Sequence, residues 1–184
     1  MNDLNQTFAT LKELGPRECL LRVLNVLLIG VSALMIWNSF IIATNTKSPI
    51  VVVLSGSMEP GFSRGDLLLL WKTEHINIGD IVVYELPAKQ IPIVHRVIAI
   101  HESPKNNEIL YLTKGDANQV DDQGLYYEGG IKDAMLRRQH ILGVVQAYLP
   151  FAGSFTIWMA DYPLLKFALL AILAVTSFSN KEEK

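Results

Sequence analysis

The residues of this chain whose types could do chemistry together are few. They are Ser57, inside Ser55-Gly56-Ser57-Met58-Glu59-Pro60, His95, and the acids Asp116, Asp121 and Asp122. A serine hydroxyl becomes a nucleophile when a neighbouring base takes its proton. An imidazole, with an ordinary pKa of about 6.5, can take that proton at neutral pH and return it to a leaving amine. A carboxylate then has to orient the ring and stabilise its cation. Each residue also has a plain structural explanation. Ser-Gly turns commonly follow strands, a lone His can sit on a half-buried strand, and Asp often holds a turn.

The elements that must position these groups can be read from local pattern. The apolar run Pro49-Ile50-Val51-Val52-Val53-Leu54 predicts a short buried strand ending in a Gly-punctuated turn, which leaves the Ser57 hydroxyl exposed beside backbone N–H groups. Along Ile93–Ile100, Ile93, His95, Val97 and Ala99 share one face. His101 has the same parity, so periodicity alone does not choose between the two histidines. If Asp121 and Asp122 lie in extended chain they point opposite ways, and only one of them can face His95.

Further short apolar runs at Ile50–Leu54, Asp66–Trp71, Asp80–Tyr84, Ile109–Thr113 and Ile141–Tyr148 alternate with turn signals such as Ser63-Arg64-Gly65 and Glu128-Gly129-Gly130. This spacing is too tight for crossover helices. It predicts a mostly β fold from Lys47 to about Asp161, an irregular antiparallel barrel or coiled sheet.

Hydrophobic residues make up 50% of the 184, and mean hydropathy is +0.27, which points to membrane segments. Val23–Ala43 is free of charge and long enough to cross a bilayer, longer than the apolar core of a cleavable signal peptide. Lys12, Arg17 and Arg22 precede this run and only Lys47 closely follows, which predicts a cytosolic N-terminus with the bulk of the chain on the far side. The apolar stretch Phe167–Phe178 is too short to span and predicts an interfacial or core-packed helix, with Lys166 and Lys181-Glu182-Glu183-Lys184 marking its ends. The division expected is residues 1–19 as a cytosolic segment, 20–43 as a signal-anchor helix, 44–160 as the β-rich domain, and 161–184 as a short membrane-associated helix and tail.

Other functions find little footing. A net charge of −2 without a basic block argues against nucleic acid. The one cysteine, Cys19, precludes an intrachain disulfide. The four His have no zinc spacing, and no glycine-rich loop has the pattern of a phosphate cradle. No cofactor or metal is therefore expected, and His75, His101 and His140 are assigned surface or structural roles. Arg64-Gly65-Asp66 reads as a turn into the next strand rather than an adhesion tripeptide. Asn5-Gln6-Thr7 has the pattern of a glycosylation sequon but falls on the cytosolic side.

Four segments in order carry a family resemblance: Ser55-Gly56-Ser57-Met58-Glu59-Pro60, Arg64-Gly65-Asp66-Leu67-Leu68, Ile91-Pro92-Ile93-Val94-His95-Arg96-Val97, and Leu112-Thr113-Lys114-Gly115-Asp116 with Asp121-Asp122 beyond. Together they resemble the type I signal peptidases, in the endoplasmic-reticulum form whose base is histidine rather than the bacterial form whose base is lysine. The resemblance implies a coiled β-sheet domain behind one membrane helix, and a serine endopeptidase that cuts signal peptides from secretory precursors. It implies Ser57 as nucleophile, His95 as base and Asp122 as triad acid, with Asp116 supporting and Ser55 assisting the oxyanion. The implied partners are those precursors, non-catalytic membrane subunits and the lipid bilayer. The implied location is the endoplasmic-reticulum membrane, single-pass, with the catalytic domain lumenal. Anchor and apolar tail would hold the site at bilayer height, and pocket-lining residues would come from Ile50–Leu54 and Asp80–Tyr84 by analogy. Three rivals are weighed beside it: a Ser57–Lys114 dyad, a catalytically silent single-span scaffold subunit, and a self-cleaving repressor-type peptidase.

Overall fold

The computed structural model describes residues 15–103, 107–131 and 134–179. Lys12, the Asn5-Gln6-Thr7 sequon and Lys181–Lys184 lie outside these residues, as does the larger part of the expected segment 1–19. The described chain divides into two compact units. Phe40–Ile157 forms one, and the described residues before Phe40 and from Trp158 onward form the other.

Helix α1 runs from Pro16 to Thr44. Pro16 follows Gly15, whose carbonyl accepts from the Glu18 and Cys19 amides, so the missing N–H of proline costs nothing at the first helical position. The helix stops where Asn45 takes a left-handed φ of 52°. Its 29 residues reach roughly 44 Å at ~1.5 Å per residue, and its best 18-residue window has a mean hydropathy of 2.3. Leu28, Ile29, Leu34 and Ile42 all project outward from it. Such a surface suits lipid or a partner helix, not water.

Seven strands among the described residues form one antiparallel sheet in the order β1-β2-β7-β3-β4-β5-β6. They are β1 (Ile50–Val52), β2 (Leu67–Trp71), β3 (Ile81–Leu86), β4 (Lys89–Glu102), β5 (Ile109–Lys114), β6 (Leu136–Arg137) and β7 (Ile141–Leu149). The mostly β expectation is met. Alternation along β3 sends Val82 and Tyr84 into one apolar cluster, with Val97, Tyr111, Tyr126 and Leu136. It sends Val83 into a second, with Val53, Met58, Phe62, Leu68 and Leu70.

Several details depart from local pattern. Strand β4 begins four residues earlier than the expected Ile93 and carries Pro92 inside it. The proline is tolerated because pairing with β3 is irregular there, between Tyr84↔Ile93 and Leu86↔Lys89. A bulge at Ile98 shifts the register with β5 between Val97↔Thr113 and Ala99↔Leu112.

 Beyond the bulge, Ala99 pairs with Leu112 and leaves the His95 face, and Ile100, paired with Tyr111, replaces it. The expected alternation through Ala99 and His101 is thereby corrected, and His101 lies exposed. Helices α2 (Gln123–Glu128) and α3 (Ser154–Asp161) interrupt the region expected to be mostly β. The last helix, α4 (Pro163–Ser179), starts at the proline rather than at Phe167. Its 17 residues exceed the apolar stretch read from sequence, and α3 with Leu164–Leu173 is together long and apolar enough to pass for a bent span, at 107°.

Candidate active site

The loop between β1 and β2 carries Ser57. Its ends are closed by Val53 N–H to the Asp66 carbonyl at 2.9 Å and Gly65 N–H to the Val53 carbonyl at 2.8 Å. Met58 is 1% exposed and Phe62 7%, so both side chains plug the loop into the second apolar cluster. Ser57, between the exposed Gly56 and the buried Met58, is left half-buried. Arg64-Gly65-Asp66 is the turn expected. Gly65 has φ of 99°, and the buried Asp66 carboxylate accepts from the Ser63 and Phe151 amides.

His95 stands on β4 opposite Val82 of β3 and is 3% exposed. Asp122 immediately precedes α2, which brings its side chain back beneath β5, where its own N–H donates to the Thr113 carbonyl. Ser57, His95 and Asp122 form one hydrogen-bonded row. Ser57 Oγ lies 3.1 Å from His95 Nε2, and His95 Nδ1 lies 2.5 Å from Asp122 Oδ2. An ionised carboxylate only accepts, so Nδ1 carries the ring proton and Nε2 offers its lone pair to the serine hydroxyl. Such a row can draw the proton off Ser57 and hold the resulting cation.

Asp122 Oδ2 also accepts from Thr113 Oγ1 at 2.5 Å and from Tyr84 Oη at 3.1 Å. The single Thr113 hydroxyl proton is thus committed, and Tyr126 Oη, 2.7 Å away, must donate to Thr113 Oγ1. Tyr126 Oη in turn accepts the Thr113 N–H at 2.9 Å. Burial, and then the Asp122 charge, push the Tyr84 hydroxyl far above the ordinary phenol range. Burial above all does the same for Tyr126.

The turn after β5 braces Ser57 from behind. Ala117 N–H donates to the Ser57 carbonyl at 2.9 Å. Lys114 Nζ donates to the carbonyls of Gly115 and Asn118, so it serves the turn and makes no hydrogen bond to Ser57. A methyl group on Gly115 would lie 2.7 Å from the Ser57 carbonyl oxygen and 2.9 Å from His95 Nε2. Only glycine lets the chain pass this close.

Asp116 is near the row but not part of it. Its two oxygens accept a fork from Arg96, Nε to Oδ1 at 2.9 Å and Nη2 to Oδ2 at 2.7 Å. Those hydrogen bonds hold the Asp116 carboxyl below the usual carboxylate range. Asp121 is turned away and accepts the Gln123 N–H. Ser55 Oγ lies 3.3 Å from Ser57 Oγ, and because the Ser57 proton faces His95, Ser55 is the donor of that contact. The Ser57 N–H has no hydrogen-bond partner among the described residues.

Of the remaining histidines, His75 and His101 are exposed, and His140 Nδ1 accepts the Arg137 N–H. Burial, and then the Arg137 charge, lower the His140 pKa, which suits a neutral structural ring. Val82, Val83 and Tyr84 are wholly buried, so this part of the expected pocket lining backs the site instead of facing a substrate. Sequence reasoning gave no role to Thr113, Tyr126, Arg96 or Gly115, and placed Tyr84 only in the pocket lining. The glycine between a strand end and Asp116 was a usable signal, whereas the hydroxyl convergence depends on tertiary contacts.

Residues 21–101 match the family described as signal peptidase, peptidase S26. The chain is 48% identical to the human signal peptidase complex catalytic subunit SEC11C, over 95% of this chain and 90% of the relative. It is 49% identical to the signal peptidase complex catalytic subunit SEC11 of Eremothecium gossypii, over 90% of this chain and 98% of the relative. It is 43% identical to the protein of the same name from Plasmodium falciparum, over 94% of this chain and 89% of the relative. The chain belongs to the signal peptidase family, peptidase S26.

Proposed function

We propose that this chain is a membrane-anchored serine endopeptidase that removes signal peptides from secretory and membrane protein precursors, with Ser57 as nucleophile, His95 as general base and Asp122 as the acid that orients the ring. The observation that carries the reading is the row of 3.1 Å and 2.5 Å contacts joining a loop, a strand and a helix N-terminus. In this reaction His95 Nε2 takes the Ser57 proton while Oγ attacks the scissile carbonyl, and the His95 cation is stabilised by Asp122. The proton then goes to the leaving amine, and water enters by the same base to release the acyl group. The unpaired Ser57 N–H and the Ser55 hydroxyl are the donors for the developing oxyanion, one such donor being worth ~3 kcal/mol of barrier. Asp116 supports the reaction from outside the row by pinning the turn that braces Ser57.

Helix α1 leads directly into the unit that holds the row, so the enzyme is tethered to the membrane in which its substrates' apolar segments reside. The tether raises their effective concentration. The chain works with other membrane subunits as the catalytic part of a signal peptidase complex in the endoplasmic-reticulum membrane. The division of labour is residues 1–19 cytosolic, 20–43 anchor, 44–160 lumenal peptidase and 161–184 membrane-associated tail. The same reading leaves no task for nucleic acid or cofactor. It also disfavours the silent-scaffold alternative, for which a complete row would be without use.

Processing of a radiolabelled secretory precursor by the purified complex tests the reading. Ser57→Ala and His95→Ala complexes should leave the precursor uncut while still assembling, and cleavage at the native rate by Ser57→Ala would end it. For topology, a C-terminal tag should resist protease in sealed microsomes. A digestible tag would mean that the tail crosses the membrane.

A further inference from the structure

Asp122 is 1% exposed, and among the described residues no Lys or Arg is hydrogen-bonded to it. A bare carboxylate in that setting is costly, because burial removes the water that would solvate its charge. Three donors replace the water, and all three reach the same oxygen: His95 Nδ1–H, Thr113 Oγ1–H and Tyr84 Oη–H end on Oδ2. The other oxygen, Oδ1, is buried with no hydrogen-bond partner. The arrangement is therefore directional. It fixes the rotation of the carboxyl group and gathers its charge on the atom that faces the imidazole.

We propose that Tyr84 and Thr113 are positioning residues of the peptidase reaction, holding Asp122 Oδ2 against His95 Nδ1, and that Tyr126 completes the set by holding Thr113. The inference rests on the reading of Ser57, His95 and Asp122 given above. The geometry of each member supports it. Thr113 and Tyr126 clasp one another twice, through the Thr113 amide and through the two hydroxyls, so the Thr113 proton has only Asp122 left to serve. The Tyr84 ring sits edge-on to both neighbours, 6.3 Å from the His95 ring and 6.0 Å from that of Tyr126, which fixes the direction of its hydroxyl. Tyr84, Thr113 and Tyr126 are all fully buried, so no water competes for these protons. Both phenols keep their protons across any pH at which the enzyme works, being pushed upward by burial first. They are permanent donors that take no part in proton transfer.

The test is a set of single-turnover cleavage rates with the complex in excess over precursor. Tyr84→Phe retains the ring and deletes the donor, Thr113→Val deletes the donor at constant shape, and Thr113→Ser keeps it. Tyr84→Phe and Thr113→Val should each slow the chemical step roughly tenfold to a hundredfold, the size expected for one hydrogen bond to a charged group, with precursor binding unchanged. Thr113→Ser should restore most of the rate. In an Asp122→Asn background, Tyr84→Phe and Thr113→Val should add almost nothing, because a group acting through Asp122 has no further effect once the charge is gone.

Full additivity in that background, or native rates for Tyr84→Phe and Thr113→Val beside a crippled Asp122→Asn, would overturn the inference while leaving the triad reading intact. A native rate for Asp122→Asn would instead strike the triad reading itself. Should Tyr84→Phe fail to assemble, the Thr113 valine and serine pair decides alone.

Discussion

Gly115→Ala is the substitution that most sharply separates geometry from chemistry, because it removes no functional group. The added Cβ would stand 2.7 Å from the Ser57 carbonyl oxygen, 2.7 Å from Asn118 Nδ2 and 2.9 Å from His95 Nε2, where ordinary contact begins at 3.4 Å. Each neighbour would have to retreat by at least about 0.5 Å, and the Ser57 carbonyl is backbone already bound to Ala117 N–H. Asn118 can swing aside, but Ser57 and His95 cannot both withdraw from one point and keep their 3.1 Å contact. A misplacement approaching 1 Å at reacting groups costs about a hundredfold in rate. The assay is precursor cleavage by the complex at saturating and limiting substrate, alongside its thermal unfolding. We expect kcat to fall by about two orders of magnitude, with assembly retained and KM little changed. Native kcat for Gly115→Ala would refute the reasoning, since it would mean the close passage behind Ser57 has no bearing on the reaction.

Two further predictions concern the acids. Asp122→Asn should lower kcat by up to about ten-thousandfold, because the amide disturbs the ring tautomer and no longer stabilises the His95 cation, whereas Asp116→Asn should be several-fold slower through a loosened turn. A dead Asp116→Asn beside an active Asp122→Asn, measured as initial cleavage rates, would reverse the two roles. The Arg96 hydrogen bonds depress the Asp116 pKa, so their stabilisation is present above the unfolded carboxylate range near 4 and is lost as pH falls through the lower folded value. The Tm gap between the native and Asp116→Asn complexes should therefore hold from pH 8 to about 5 and close in more acidic buffer. A gap that shrinks already near neutrality would contradict this assignment.

Much of this site was legible because its members lie on local signals. Ser57 follows an apolar strand at a glycine turn, and His95 occupies the buried parity of a long apolar run. The choice of Asp122 over Asp121 came from resemblance. Its physical basis is the short helix α2, whose N-terminus turns one carboxylate inward and leaves the other on the Gln123 amide. What stayed hidden was set by pairing at a distance. The two-residue strand β6 is held by β5 rather than by any propensity of Leu136–Arg137, and the bulge at Ile98 can be seen only once β4 and β5 are in register. The donors on Asp122 come from β3, β4 and β5, the farthest of them 38 residues away in the chain. No window of sequence brings them together.

The central claim is that the substrate's carbonyl is transferred to Ser57. The most direct measurement is acid quenching of the complex during turnover of a signal-peptide ester, followed by mass mapping of this chain. The account predicts an acyl group of the mass of the signal peptide on the fragment containing Ser57, lost in Ser57→Ala and accumulating far more slowly in His95→Ala. An acyl group on any other residue, or undiminished cleavage by the Ser57→Ala complex, would contradict it.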